Sequence, residues 1–356
     1  MKEIAGLAKQ GIAVGRNLMI SDRAHVIFPW HKIADAIFDN IGGGEAIGST
    51  MRGIGPCYQD KYGRSLAIRF GDLYKPDLKS KIETIIEVKN RLFNGLISEV
   101  DNSISIPGFN TELDANAVYE EYKGYAEQLQ PYIADTTDYL LDAVDADKNV
   151  LFEGAQGSLL DIDHGTFPYV TSSNSSATGI CAGSGTPPHF LKKIIGVIKA
   201  YTTRVGGGPF PTEQANDIGQ TVRDRGNEYG TVTKRPRRCG WFDAVAARYT
   251  ARLGGVDTLA VMLLDVLSTV GDLQICTAYE INGAKTRTFP SHVEDLRSAK
   301  PVFETVSGWD EDISAVREFC DLPLNAQKYV KRLGEVVGRS VEIVSVGPDR
   351  EQTIFI

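Results

Sequence analysis

Apolar residues recur at helical spacing over Ser80–Val100, through Ile82, Ile85, Ile86, Leu92, Leu96 and Ile97. The same period predicts helices over Ala115–Gln130, Thr137–Val144, Asp243–Leu253 and Asn325–Val337. Met1–Gln10 sets Ile4 and Leu7 against charges, a short amphipathic helix with no Ser, Thr, Asp or Asn cap before it. Short apolar runs bounded by turn residues read as buried strands: Val150–Phe152, Ile194–Ile198, Leu259–Leu264 and Val341–Val344, with Leu273–Ile281 as a further strand. Each buried run gives way to Gly, Asp, Ser or Thr, the pattern of strand ends that open onto a ligand crevice. Strands interleaved with helices predict an α/β enzyme. No repeat or Pro/Gly/Ser linker divides it, so one domain with a long helical insertion is expected.

Composition narrows the class. Of 356 residues, 42% are hydrophobic and 24% charged, close to globular averages, which excludes disordered and fibrous chains. No apolar run reaches the length of a membrane span, and the polar N-terminus lacks the apolar stretch of a signal peptide, so a cytoplasmic protein is expected. A net charge of -8 argues against general nucleic-acid binding. The five cysteines form no C-x-x-C pair and suggest neither a disulfide framework nor a zinc site.

Candidate chemistry lies in the loops. Glu153-Gly154-Ala155-Gln156-Gly157 leads into Asp161-Ile162-Asp163-His164, whose carboxylates and imidazole suit a metal but read better as turn and cap residues. Thr171–Ser176 offers hydroxyls and amides suited to phosphate oxygens. Arg204-Val205-Gly206-Gly207-Gly208 lets backbone approach a ligand closely, or makes a tight turn. Gly230-Thr231-Val232-Thr233-Lys234-Arg235-Pro236-Arg237-Arg238 sets four cations beside two threonines; anion binding is preferred over a localisation signal. Leu264-Asp265 and Ser345–Arg350 end two buried runs, where a carboxylate and backbone donors can meet a purine base, or cap a turn. Gly43–Thr50 has P-loop spacing, yet Ser49 stands where the phosphate-binding Lys is required, so it is not read as a Walker A motif.

Gly48–Pro56, Glu153–Gly165, Tyr169–Asn174, Arg204–Glu213 and Ser345–Arg350, in this order, resemble the adenylosuccinate synthetase family along nearly the whole chain. The resemblance implies a P-loop-NTPase-related α/β fold, a central, mostly parallel sheet flanked by helices, with a helical insertion over about 75–148 of a single domain 1–356. It implies ligation of L-aspartate to IMP with GTP and Mg²⁺, through 6-phosphoryl-IMP, in cytoplasmic AMP biosynthesis. Thr50, Gln156, Thr171 and Arg235 would contact IMP, and Arg64 would reach the IMP of the neighbouring subunit in a homodimer. Thr231, Val232, Thr233, Lys234, Arg235, Pro236 and Arg237 would close on aspartate. GTP would meet Arg237 and two turns, Leu263-Leu264-Asp265 and Ser345-Val346-Gly347, with Asp265, Ser345 and Gly347 reading the guanine.

Three departures carry consequences. Leu263 replaces the usual Lys whose stem packs on the base, and Lys234 and Pro236 replace commoner Gly and Arg in the basic loop. The family's Gly-Asp-Glu-Gly-Lys-Gly-Lys loop and its Asn-Ala-Gly-His-Thr segment do not occur in these 356 residues. Those segments hold the family's catalytic base, acid and metal ligands, so no catalytic or metal residue is assigned to this chain, and the chain as given is expected to be inactive without them. The family's synthetase reaction is thus expected of a protein with a start further upstream. The alternative is a non-catalytic remnant that binds purine nucleotide or pairs with another subunit. A third reading keeps the fold but changes the purine monophosphate, as in the viral branch of the family.

Overall fold

Phe28 lies between the rings of Trp30 and Tyr122, at centroid distances of 4.3 and 4.0 Å, and this stack centres the first of two large cores. The computed structural model describes residues 1–41, 50–99, 113–230 and 235–356. Its chain gathers into two units, Met1–Phe152 with Cys181–Thr186, and Glu153–Ile180 with Pro187–Ile356.

The first unit runs α1 (Lys2–Lys9), β1 (Ile20–Ser21), α2 (Pro29–Ile41), α3 (Ile54–Gly63), α4 (Leu78–Glu99), α5 (Ala115–Leu129), β2 (Ile133–Ala134) and α6 (Thr136–Asp145). The stretch expected as a helical insertion holds α4, α5 and α6. Each predicted helix here is present within one or two residues of its expected bounds. The inward face of α4 differs from the reading. Ile82, Ile85, Ile86, Lys89 and Phe93 are buried, whereas Leu92 is exposed. The face thus advances along the helix in steps of three and four that include a lysine. Lys89 is buried because Asp60 of α3 is buried beside it, Nζ to Oδ1 2.7 Å, while His31 of α2 lies 3.0 Å from the other oxygen. His31 Nδ1 accepts the Phe28 N–H at 2.9 Å, and its Nε2 lies 3.0 Å from both the Trp30 indole nitrogen and Asp60 Oδ2. Gly53, at φ 80°, opens α3 where any Cβ would strike the backbone at His31 and Lys32.

After α7 (Thr178–Ser184), the second unit runs β3 (Ile195–Lys199), β4 (Thr202–Arg204), α8 (Asp217–Arg225), β5 (Arg238–Gly240), β6 (Phe242–Asp243), α9 (Ala244–Leu253), β7 (Thr258–Met262), β8 (Leu273–Ile281), β9 (Ala284–Thr286), α10 (Val293–Ser298), β10 (Lys300–Val306), α11 (Leu324–Val337), β11 (Ser340–Ser345) and β12 (Thr353–Phe355). One sheet has the order β12-β11-β7-β3. Its β11, β7 and β3 are parallel and β12 is antiparallel. Val261, Val344 and Ile354 of this sheet share one core with Tyr329, Val330 and Leu333 of α11. A second sheet has the order β10-β8-β6, with β9 beside β8. The fold is α/β, its parallel strands flanked by helices.

Two strand expectations are corrected. Val150–Phe152 forms no ladder, and Leu151 is 89% exposed. A three-residue run without a partner strand gains neither ladder bonds nor burial. Ile194–Ile198 is a strand, displaced by one residue, but not a buried one. As β3 it ends the described sheet, leaving Val197 71% exposed. A run of apolar side chains cannot by itself tell a central strand from an edge. No described helix is long and apolar enough to cross a membrane.

Candidate functional site

Because β7 and β11 are parallel neighbours, both chains leave the sheet at the same edge, the edge where open α/β sheets bind ligands. There the Leu264 N–H donates to the Ser345 carbonyl at 3.1 Å and the Leu263 N–H to Ser345 Oγ at 3.2 Å. The Leu263-Leu264-Asp265 and Ser345-Val346-Gly347 turns are thereby brought together. Leu263 takes a positive φ of 62°, which turns the chain out of β7 and into Asp265. Asp265 Oδ1 is buried and accepts no hydrogen bond among the described residues. Burial, with a smaller push from Asp312, holds its carboxyl above the usual range. An orphaned acceptor of this kind suits a ligand that brings its own N–H groups, as the edge of a guanine does.

The Glu153–Ser176 stretch folds back on itself. The Thr171 N–H donates to the Leu160 carbonyl at 2.8 Å, the Ile162 N–H to Ser173 at 3.1 Å, and Ser175 Oγ to Gly157 at 2.9 Å. Gln156 and Thr171 therefore flank one loop; Gln156 is exposed and Thr171 half-buried. Asp161 organises the fold, accepting the N–H groups of Asp163, His164 and Ser176. These bonds outweigh its burial and hold its carboxyl below the usual range. The turn-and-cap reading of Asp161 is the one realised. Among the described residues no group of three or more His, Cys, Asp and Glu side chains is placed to hold a metal ion.

Arg204 reaches the same loop, Nη2 to Thr166 Oγ1 2.9 Å and Nε to the Gly207 carbonyl 2.9 Å, 5.9 Å from the Tyr169 ring centre. Burial, and the neighbouring Arg238, lower its pKa to about 10. Gly208, at φ 90°, is required because a Cβ there would strike both Arg204 and the Tyr169 ring.

The basic loop is tied at its base. The Gly230 N–H donates to the Arg235 carbonyl at 2.8 Å, Tyr229 bridges Pro236, and the Arg237 N–H donates to the Glu228 carbonyl at 2.8 Å. Thr231, Val232, Thr233 and Lys234 lie outside the described residues. Arg237 does not stand as an independent cation: its Nη1 is 2.7 Å from Glu228 Oε2, while Lys199 Nζ and the Tyr201 hydroxyl each reach Glu228 Oε1 at 2.6 Å. Burial raises the Glu228 carboxyl, but the Lys199 and Tyr201 hydrogen bonds outweigh it and hold the group below the usual range. Sequence reading missed Glu228, Lys199 and Tyr201. The only signal was an acid a few residues before a run of cations, which is indistinguishable from a solvated face until its burial is known.

Thr50 and Arg64 belong to the first unit. Thr50 is exposed, as is Arg64, which ends α3 at φ 66° with its N–H on the Asp60 carbonyl at 2.8 Å. The Gly43–Ser49 part of the P-loop-like stretch lies outside the described residues.

Parallel strands with an unpartnered acid oxygen at their carboxyl ends, together with a glycine-rich turn after β4 and a tethered basic loop after α8, are the layout of a nucleotide-dependent α/β enzyme. The adenylosuccinate synthetase family matches residues 1–354. Adenylosuccinate synthetases of Acetivibrio thermocellus and Caldanaerobacter subterraneus are 46% and 47% identical to it over all of this chain and 81% of their own. In structure, a fully ligated adenylosuccinate synthetase from Plasmodium falciparum is similar at TM-score 0.88 and 36% identity, over 95% of this chain and 78% of that one. A cyanophage S-2L succinoaminodeoxyadenylate synthetase, bound to dGMP and dATP, shares the fold at TM-score 0.51 and 18% identity, over 99% of this chain and 72% of that one. The chain belongs to the adenylosuccinate synthetase family, a family of GTP-dependent ligases of IMP and aspartate.

Proposed function

We propose that the residues gathered at the sheet edge serve GTP-dependent ligation of L-aspartate to IMP, yielding adenylosuccinate, GDP and phosphate. The γ-phosphoryl group of GTP passes to the IMP 6-oxygen, and the aspartate amine then displaces it with cleavage of the carbon–oxygen bond. The observation that carries the reading is the buried Asp265 Oδ1, which accepts no hydrogen bond among the described residues and follows the turn that Leu263 and Leu264 make against Ser345; it is an acceptor suited to the adjacent N1–H and N2–H groups of guanine, a donor pair that adenine lacks.

In this reading Thr50, Gln156, Thr171 and Arg235 bind IMP, and Arg64 reaches the IMP phosphate of a second subunit, which makes a homodimer the working unit. Thr231 to Arg237 close on aspartate, and Arg237 also faces GTP. The substrates are anionic, so the clustered guanidinium groups supply the field in which phosphoryl transfer and displacement occur. Members of the family use Mg²⁺. The described residues offer no group of three or more His, Cys, Asp and Glu side chains placed to hold it. The same membership supports a cytoplasmic location.

The test is nucleotide choice. With IMP and aspartate saturating, the protein purified from the cells that make it consumes GTP in preference to ATP, and Asp265→Asn erodes that preference. Equal use of both by the native protein contradicts the assignment of the Asp265 turn.

A further inference from the structure

We propose that Glu228 is a positioning residue for the proposed reaction: it touches no substrate but fixes Arg237, and through it the contact of that guanidinium with aspartate and GTP. This rests on the loop assignment above. Glu228 is 1% exposed and has both carboxylate oxygens occupied, one by Lys199 Nζ and the Tyr201 hydroxyl, the other by Arg237 Nη1. Arg237 is held twice more through its backbone: its N–H donates to the Glu228 carbonyl, and its own carbonyl accepts Arg223 Nε, both at 2.8 Å. Lys199 belongs to the end of β3 and Tyr201 to the turn that follows, so the clamp ties the base of the loop to the ligand-binding edge of the sheet.

The charge arithmetic makes the clamp more than scaffolding. One carboxylate faces two cations, so the cluster keeps a net positive charge, and the Arg237 Nε–H is buried without an acceptor among the described residues. An incoming carboxylate or phosphate oxygen supplies both the missing charge and the missing acceptor. Remove the Glu228 charge, and Lys199 and Arg237 repel each other at short range, driving the guanidinium off the position where it awaits the ligand.

Glu228→Gln tests this with shape retained and charge removed, in the full protein expressed in its own host. Trypsin cleavage after Arg237, without ligands, should speed up in this variant. KM for aspartate and for GTP should each rise about tenfold, with KM for IMP little changed, the signature of one ligand-facing arginine displaced. Tyr201→Phe should give a smaller change in the same direction, and it serves as the test if Glu228→Gln fails to fold. In an Arg237→Met background, adding Glu228→Gln should change nothing further. Unaltered cleavage and unaltered KM values in a folded Glu228→Gln protein overturn the inference, as do additive effects or an equal rise in KM for IMP. Faster cleavage in Glu228→Gln with Arg237→Met leaving both KM values unchanged overturns instead the loop assignment on which it rests.

Discussion

At the scale of single residues, the groups that look alike in sequence are sorted by burial and partners. Asp161 and Asp265 are both acids beside turns, yet Asp161 is saturated by backbone N–H groups while Asp265 retains an orphaned oxygen. Asp161 therefore shapes a loop, and in the proposed reading Asp265 receives a ligand. Replacing a charged acceptor by an amide forfeits about 1.5–3 kcal/mol per hydrogen bond. Asp265→Asn should accordingly lower kcat/KM for GTP by about ten- to a hundredfold while leaving use of ATP nearly unchanged, which nucleotide competition kinetics will show. Arg235→Leu should raise KM for aspartate at least about tenfold, the loss of a charge-assisted bond. An unchanged KM removes Arg235 from the aspartate site.

At the scale of elements, α9 and α4 carry the clearest consequences. Asp243 caps α9, accepting the Ala246 N–H at 3.0 Å, and takes the Tyr279 hydroxyl at 2.5 Å, yet it is only 4% exposed. Burial raises its pKa to about 6 against these stabilising bonds. The folded protein thus holds a proton there that the unfolded chain, with a carboxyl pKa near 3.9, has released. Stability from this group is full below about pH 4 and is lost as pH rises through about 6. Denaturant titrations of the wild type and Asp243→Asn at pH 5 and pH 7.5 should diverge by about 1 kcal/mol, the wild type losing more at the higher pH. On α4, Phe93→Ala should cost about 3–5 kcal/mol, whereas Leu92→Ala should cost under about 1 kcal/mol. Equal costs would contradict the observed face.

The same elements show what the sequence made legible. α4, α5, α9 and α11 announce themselves because a repeating apolar stripe must face a core. α3 was not foreseen: Ile54-Gly55-Pro56-Cys57-Tyr58-Gln59-Asp60 has no such stripe, and of its buried residues Pro56, Cys57 and Asp60 the last is held by Lys89 and the His31 ring of two other helices. The Leu263–Asp265 and Ser345–Gly347 turns were legible because strand ends and motifs coincide there. The Glu228 clamp was not, since its members come from three separate stretches that only the fold brings together.

At the scale of the whole molecule, Thr50 and Arg64 belong to the first unit, and Gln156, Thr171, Arg235, Arg237 and the Leu263–Asp265 and Ser345–Gly347 turns to the second. If Arg64 serves the neighbouring subunit, mixing Arg64→Leu protein with Arg235→Leu protein, at an aspartate concentration well below the raised KM, should give more activity than the two measured apart, because hybrid dimers assemble one intact site. Failure of an exchanging mixture to recover would contradict sharing across the dimer. The central claim is tested most directly by incubating the protein, purified from the cells that make it, with IMP, aspartate and GTP, and following adenylosuccinate by its absorbance and mass. The account predicts product only when all three substrates are present, with one GDP and one phosphate for each adenylosuccinate. GTP hydrolysis without adenylosuccinate, or product formed without GTP, would contradict it.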